Sequence, residues 1–115
     1  MNLRMPFIAA MLWLSATGVQ AMDLEEATRS ARSAAARHSG AAPDAIELVK
    51  AEAVTWPDGS LGCPRPGMGY TQALVPGYRI RLRAHGASLD YHASRNGRLV
   101  LCPARRSVDP VPGAQ

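Results

Sequence analysis

Asp58, Ser60 and a histidine, His92 or His85, are residue types that build a hydrolytic triad. In such a set Ser60 would attack, His92 would take its proton, and Asp58 would orient the imidazole. The chemistry needs three side chains to converge, and spacing alone does not bring them together. Asp58 and Ser60 lie in Trp56-Pro57-Asp58-Gly59-Ser60. There proline sets φ, aspartate bonds the local backbone and glycine accepts positive φ, so the types favour a turn. No catalytic residue is assigned. His38, His85, His92, Met68 and the two cysteines are the possible ligands of copper or zinc. The histidines have no short-loop or i, i+4 spacing and the cysteines no Cys-x-x-Cys, so neither a metal nor another cofactor is expected.

Cys63 and Cys102 are the only cysteines. In an exported chain they are expected to form one disulfide. Closing a loop of that length contributes about 4 kcal/mol in the chain-entropy estimate, a large share of a small domain's stability.

Arg79, Arg81 and Arg83 alternate along one stretch, with His92 and Arg98 expected beside them. Such a strip suits an anionic partner: envelope phosphate, acidic glycan or an acidic protein surface. The plainer reading is a solvated sheet face carrying one weak ion pair, Arg81 with Asp90. Trp56 and Tyr70 are aromatic anchors at the ends of the loop between them, and Gln72 follows. The candidate interaction surface is therefore Trp56, Asp58, Tyr70, Gln72, Arg79, Arg81, Arg83 and His92.

The N-terminus reads as an export signal. Arg4 precedes an apolar run from Pro6 to Ala16, and Val19-Gln20-Ala21 has small residues where a signal peptidase cuts. The run is shorter than the roughly 20 apolar residues of a membrane span. Residues 1–21 are expected to be a signal peptide, 22–103 a single α+β domain and 104–115 a disordered tail. No membrane span is expected after cleavage, and the location is periplasmic or secreted. The 13 Lys and Arg against 9 Asp and Glu give a net charge of +4. That is far below the basic density of a nucleic-acid binder, so no nucleic acid is expected.

Asp23 to His38 predicts a helix. Asp23 caps it with Glu26 completing the box, and Gly40 stops it. Leu24, Ala27, Ala31, Ala34 and His38 share its buried face, and the small side chains suit close packing on a sheet. Ile46 to Trp56 predicts a strand with a bulge near Leu48-Val49, where the apolar parity switches. Tyr78 to Ala84 alternates strictly: Tyr78, Ile80, Leu82 and Ala84 on one face, the three arginines on the other. A two-residue turn at His85-Gly86 pairs Ile80 with Tyr91, Leu82 with Leu89, Arg81 with Asp90 and Arg79 with His92. A like turn at Asn96-Gly97 pairs Ala93 with Val100 and Tyr91 with Cys102. Cys102 then points to the core face, and Leu99 and Leu101 to the arginine face. The predicted fold is one N-terminal helix packed on a three- to four-stranded antiparallel sheet.

Thr55 to Tyr78 holds four of the nine prolines and five of the ten glycines. Prolines limit the unfolded loop and the bridge pins it, so order without secondary structure is expected. The run "WPDGSLGCPRPGMGYTQALVPGYRI", with Tyr91-His92 and Cys102-Pro103, resembles a group of small exported bacterial proteins with no established activity. The order of elements also resembles cystatin-like folds. "QALVPGY", Gln72 to Tyr78, is faintly similar to the cystatin Gln-x-Val-x-Gly turn, with one extra residue and with its Trp-Pro pair upstream. The expected function is an exported, non-catalytic binding module of the cell envelope, presenting the Trp56–Gly77 loop and the arginine face. Its partner would be an envelope protein or an anionic surface component. The alternative is a small secreted protease inhibitor with the loop as wedge.

Overall fold

The computed structural model describes residues 21–113. The expected signal peptide falls almost wholly outside them. Helix α1 spans Leu24–Ser39. Asp23 Oδ1 accepts from Glu26 N at 2.8 Å, and Gly40 ends the helix in the left-handed region. Ala27, Ala31 and Ala35 are its fully buried face. His38, expected on that face, is exposed, because the stripe rotates to Ala35 and away from the last turn.

Four strands follow: β1 Glu47–Trp56, β2 Val75–Ala84, β3 Ala87–Ser94 and β4 Leu99–Leu101. They form one antiparallel meander in the order β1-β2-β3-β4. The bulge is at Val49: Leu48 pairs with Leu82, but Lys50 pairs with Arg81. It moves Ala51 and Ala53 onto the face of Ile80 and Tyr78. His85 and Gly86 both have positive φ, as the tight hairpin turn requires. All four pairs predicted across β2 and β3 are observed.

The second hairpin differs by one residue. Tyr91 pairs with Leu101, His92 with Val100 and Ala93 with Leu99. Ser94 N donates to Arg98 O at 3.0 Å, so three residues, not two, make the loop. Ser94 Oγ accepts from Arg98 N at 3.2 Å and bonds Asn96 Oδ1, which stabilises the wider turn. A one-residue slip reverses every side chain. Leu99 and Leu101 therefore pack on the helix-side core, and Val100 packs on the opposite face. Cys102 follows with Val100's parity and is bridged to Cys63 on the face away from α1, with Cα atoms 5.7 Å apart.

Two cores result. The larger lies between α1 and the sheet and centres on Ile80, Leu82 and Tyr91. Tyr78 Oη donates to Met22 O at 2.8 Å and ties the helix entry to β2. The smaller, Val54, Trp56 and Leu61 with Val75 and Val100, lies on the other face under the long loop. Of the segment 104–115, expected to be disordered, the described residues 104–113 run along that face. Val108 N donates to Gly62 O and Val111 N to Thr55 O, each at 2.8 Å. The bridge delivers the chain to the loop, and backbone bonds then hold it. No helix among the described residues is long and apolar enough to cross a membrane.

Candidate functional site

The loop between β1 and β2 folds back across the sheet face opposite α1. Gly59 N donates to Thr71 O at 2.9 Å, closing its base. Asp58 Oδ1 accepts from Ser60 N at 2.8 Å and from Ser60 Oγ at 2.5 Å, an Asx turn. Leu61 and Gly62 then both adopt positive φ. That conformation is unfavourable for leucine. Leu61 is held there by complete burial and by its carbonyl, which faces His92 Nδ1 at 2.6 Å. Gly62 is required: a Cβ there would lie 2.6 Å from Trp56 Cζ3 and from Val108 O.

Beneath the loop lies a buried polar chain. His92, fully buried, stacks on Trp56 with ring centroids 4.3 Å apart. Trp56 Nε1 donates to Ala93 O at 3.0 Å. His92 Nε2 faces Asp90 Oδ2 at 3.0 Å. Arg79 grips the same carboxylate as a fork, Nε to Oδ1 at 3.1 Å and Nη2 to Oδ2 at 2.9 Å. Its Nη1 reaches Asp109 of the tail at 3.2 Å, and Nη2 reaches Ser107 Oγ at 3.2 Å. Burial pushes the Asp90 carboxyl up, but hydrogen bonds and charge from His92 and Arg79 outweigh it and hold the carboxyl well below its usual range. The Asp90 bond raises Arg79 against the opposing effect of burial.

This geometry divides the predicted surface. Trp56, Arg79 and His92 are buried and belong to the structure beneath the loop. Loop and tail cover that end of the face, and Arg79 is reached only at the floor of a groove. Arg81 opposes Asp90 in register as predicted, yet the diagonal Arg79 takes the carboxylate. Arg81 and Arg83 are exposed. They border an open groove of about 470 Å³ whose floor holds Arg79 and Asp90. Asp58 is half-buried in its turn. Tyr70 is half-buried, and its hydroxyl accepts from Arg65 N at 3.0 Å, cross-tying the loop. Gln72 is exposed, with Nε2 3.3 Å from Tyr70 O.

The hydrolytic set is not brought together. The Ser60 hydroxyl is given to Asp58, and both His92 nitrogens face Leu61 O and Asp90. His85 sits at the hairpin tip and His38 at the end of α1. Among the described residues no three His, Cys, Asp or Glu side chains meet. The stretch similar to the cystatin turn is not a turn at its core: Val75 to Tyr78 is the start of β2.

Several residues of this face are not among those that the sequence pattern marks as a contact surface. Among the described residues Met68 and Leu74 are the most exposed large apolar side chains, at 60% and 62%. Ser107 and Asp109 join the Arg79 chain. Arg65, Arg105 and Arg106 gather beside the bridge. One signal for the last group exists: each cysteine is followed by proline and shortly by arginine, Cys63-Pro64-Arg65 and Cys102-Pro103-Ala104-Arg105-Arg106.

The chain belongs to the family described as Domain of unknown function (DUF8738), whose sequence profile matches residues 28–102. The matched span runs from α1 to the second cysteine of the bridge. No curated protein matches the chain, and no solved structure does.

Proposed function

We propose that this member of the Domain of unknown function (DUF8738) family is an exported, non-catalytic binding module of the cell envelope, working in the periplasm or outside the cell. One observation carries the reading. The loop is fixed at its base by the bridge, the Asx turn and the Gly59–Thr71 bond, yet its outer part presents Met68 and Leu74 to solvent. An ordered loop loses little conformational entropy on docking. Exposed apolar side chains rimmed by polar ones are typical of contact surfaces. Arg81 and Arg83, on the groove bordered by the tail, supply a second, charged area on the same sheet face. The disulfide suits an oxidising compartment, which supports the export signal read in residues 1–21.

The test is capture from envelope extract on immobilised oxidised protein. Met68→Ser/Leu74→Ser is expected to lose the partner, since neither residue belongs to a core. Arg81→Ser/Arg83→Ser is expected to weaken capture most at low salt, where exposed charges act furthest. A partner held equally by the Met68/Leu74 variant would refute the loop as contact. Capture of a hydrolase together with loss of its activity would turn the reading to the wedge inhibitor.

A further inference from the structure

We propose that Arg65, Arg105 and Arg106 form a binding site for a phosphate-class oxyanion. The inference rests on the binding-module reading, in which the pinned loop is a presented surface, and it gives that loop a chemical ligand.

The bridge builds the site. Cys63 and Cys102 are 39 residues apart in sequence, and their bond places the two following segments side by side. Pro64 and Pro103 remove freedom at the first step after each cysteine. A hollow of about 570 Å³ lies between the segments, lined by Arg65, Pro66, Arg105 and Arg106. An adjoining hollow of about 390 Å³ adds Pro64, Ser107 and Val108. Neither lining contains a carboxylate. The sheet face opposite α1 differs: there Arg83 lies near Glu47, Lys50 near Glu52, and the covered Arg79 is taken by Asp90 and Asp109. Those three cations each have an anion beside them, whereas the arginines around the bridge have none in the lining.

A second observation points to a ligand. Arg106 Nε is buried and has no hydrogen-bond partner among the described residues. Buried donors are seldom left without an acceptor, because the donor has lost water and gained nothing. Among the described residues several guanidinium groups elsewhere find acceptors, Arg32 on Pro43 O and Ile46 O, Arg98 on Gly59 O and Arg29 on Glu25, and those that do not, Arg37, Arg81 and Arg95, are exposed to water. Guanidinium groups present planar forks that match the oxygens of phosphate bidentately. Three of them in one basin suit a dianion with three free oxygens better than a carboxylate with two. The bridge holds the basin before the ligand arrives, so little ordering remains to be done on binding.

The experiment titrates inorganic phosphate into isotope-labelled oxidised protein and follows amide shifts and the Arg106 Nε–H signal. Expected are saturable shifts confined to residues 64–69 and 103–108. Affinity should fall at least about tenfold in Arg65→Ser/Arg105→Ser, since two charge-assisted forks are lost, and should hold in Arg29→Ser on the far helix. Arg65 and Arg105 are exposed, and a melting curve checks that the variant remains folded. Shifts that do not saturate, or that persist in the double variant, overturn the site. A second arm uses neutral phospholipid vesicles with and without phosphatidic acid. Recruitment only by phosphatidic acid, competed by free phosphate, identifies a headgroup; saturation by free phosphate without recruitment identifies a soluble phosphate ester. Partner capture that persists while phosphate fails to bind sinks this site and leaves the module reading standing. Phosphate binding without any captured partner does the reverse.

Discussion

Replacing Arg79 by methionine removes the centre of the buried polar chain while keeping most of the stem. The Arg79 side chain is 8% exposed and that of Asp90 21%. Two forked bonds to Asp90 are lost, and a half-buried carboxylate is left behind. Removing one partner of a fully buried pair costs about 3–5 kcal/mol. Here Asp90 keeps His92 Nε2 at 3.0 Å and some contact with water, which reduces the cost. The contact to Asp109, 89% exposed, contributes next to nothing. The expected loss is about 2–3 kcal/mol, a sizeable part of the 5–15 kcal/mol typical of a domain. In urea, with a slope of about 1–1.5 kcal/mol per molar, the midpoint should fall by roughly 2 M. Asp90→Asn and the double variant complete a cycle, and a coupling of at least about 1 kcal/mol is expected for groups in one network. Hydrogen exchange should quicken modestly at Val108 and Val111, whose amides hold the tail, because Ser107 and Asp109 each lose a bond to Arg79 while Ser107 keeps Asp90 Oδ2 at 3.3 Å. A loss under about 1 kcal/mol, or additive single variants, would refute the idea that this chain joins sheet, loop and tail.

Alkylation of the native protein should find no reactive thiol until reductant is added, and Cys63→Ser/Cys102→Ser should cost about 4 kcal/mol in chemical melts. Gly77→Ala should fail to fold or lose at least about 3 kcal/mol, a backbone clash being worse than ordinary overpacking, because its Cβ would lie under van der Waals distance from Ala93 O. Gly67→Ala, with open space but φ of +78°, should cost only about 1 kcal/mol; equal losses at the two positions in thermal melts would contradict this packing. Asp90 is held ionised below its unfolded value of 3.8, so its contribution is present above that pH and is lost as pH falls below it. Acid titration of stability should therefore show a steeper loss below about pH 4 in the native protein than in Asp90→Asn, and identical acid limbs would exclude the network as its source.

Local patterns made most of the fold legible. The alternation from Tyr78 to Ala84, the two-residue turn at His85-Gly86 and the parity switch at Leu48-Val49 each constrain neighbours a few residues apart, and all three are observed. Asn96-Gly97 also marks a turn, but a dipeptide does not state the loop length. Ser94 Oγ decided it, and the one-residue change carried Leu99 and Leu101 to the helix side and the cysteine to the other. The triad, metal and cystatin resemblances are composition and spacing, and none of these residues meet in the arrangement their patterns suggested.

The sequence by itself determined the elements, their order, the first hairpin's register and the single pair of cysteines, because each depends on periodicity, turn residues or simple count. Tertiary structure alone decided which polar groups are surface. By parity Arg79, Arg81, Arg83 and His92 share one face, yet Arg79 and His92 are covered and Arg81 and Arg83 are not. The difference is made by a loop and a tail that cross the same sheet face from opposite ends of the domain. Burial is set by what packs on a face, and the segments that do so here lie tens of residues away and have no period of their own.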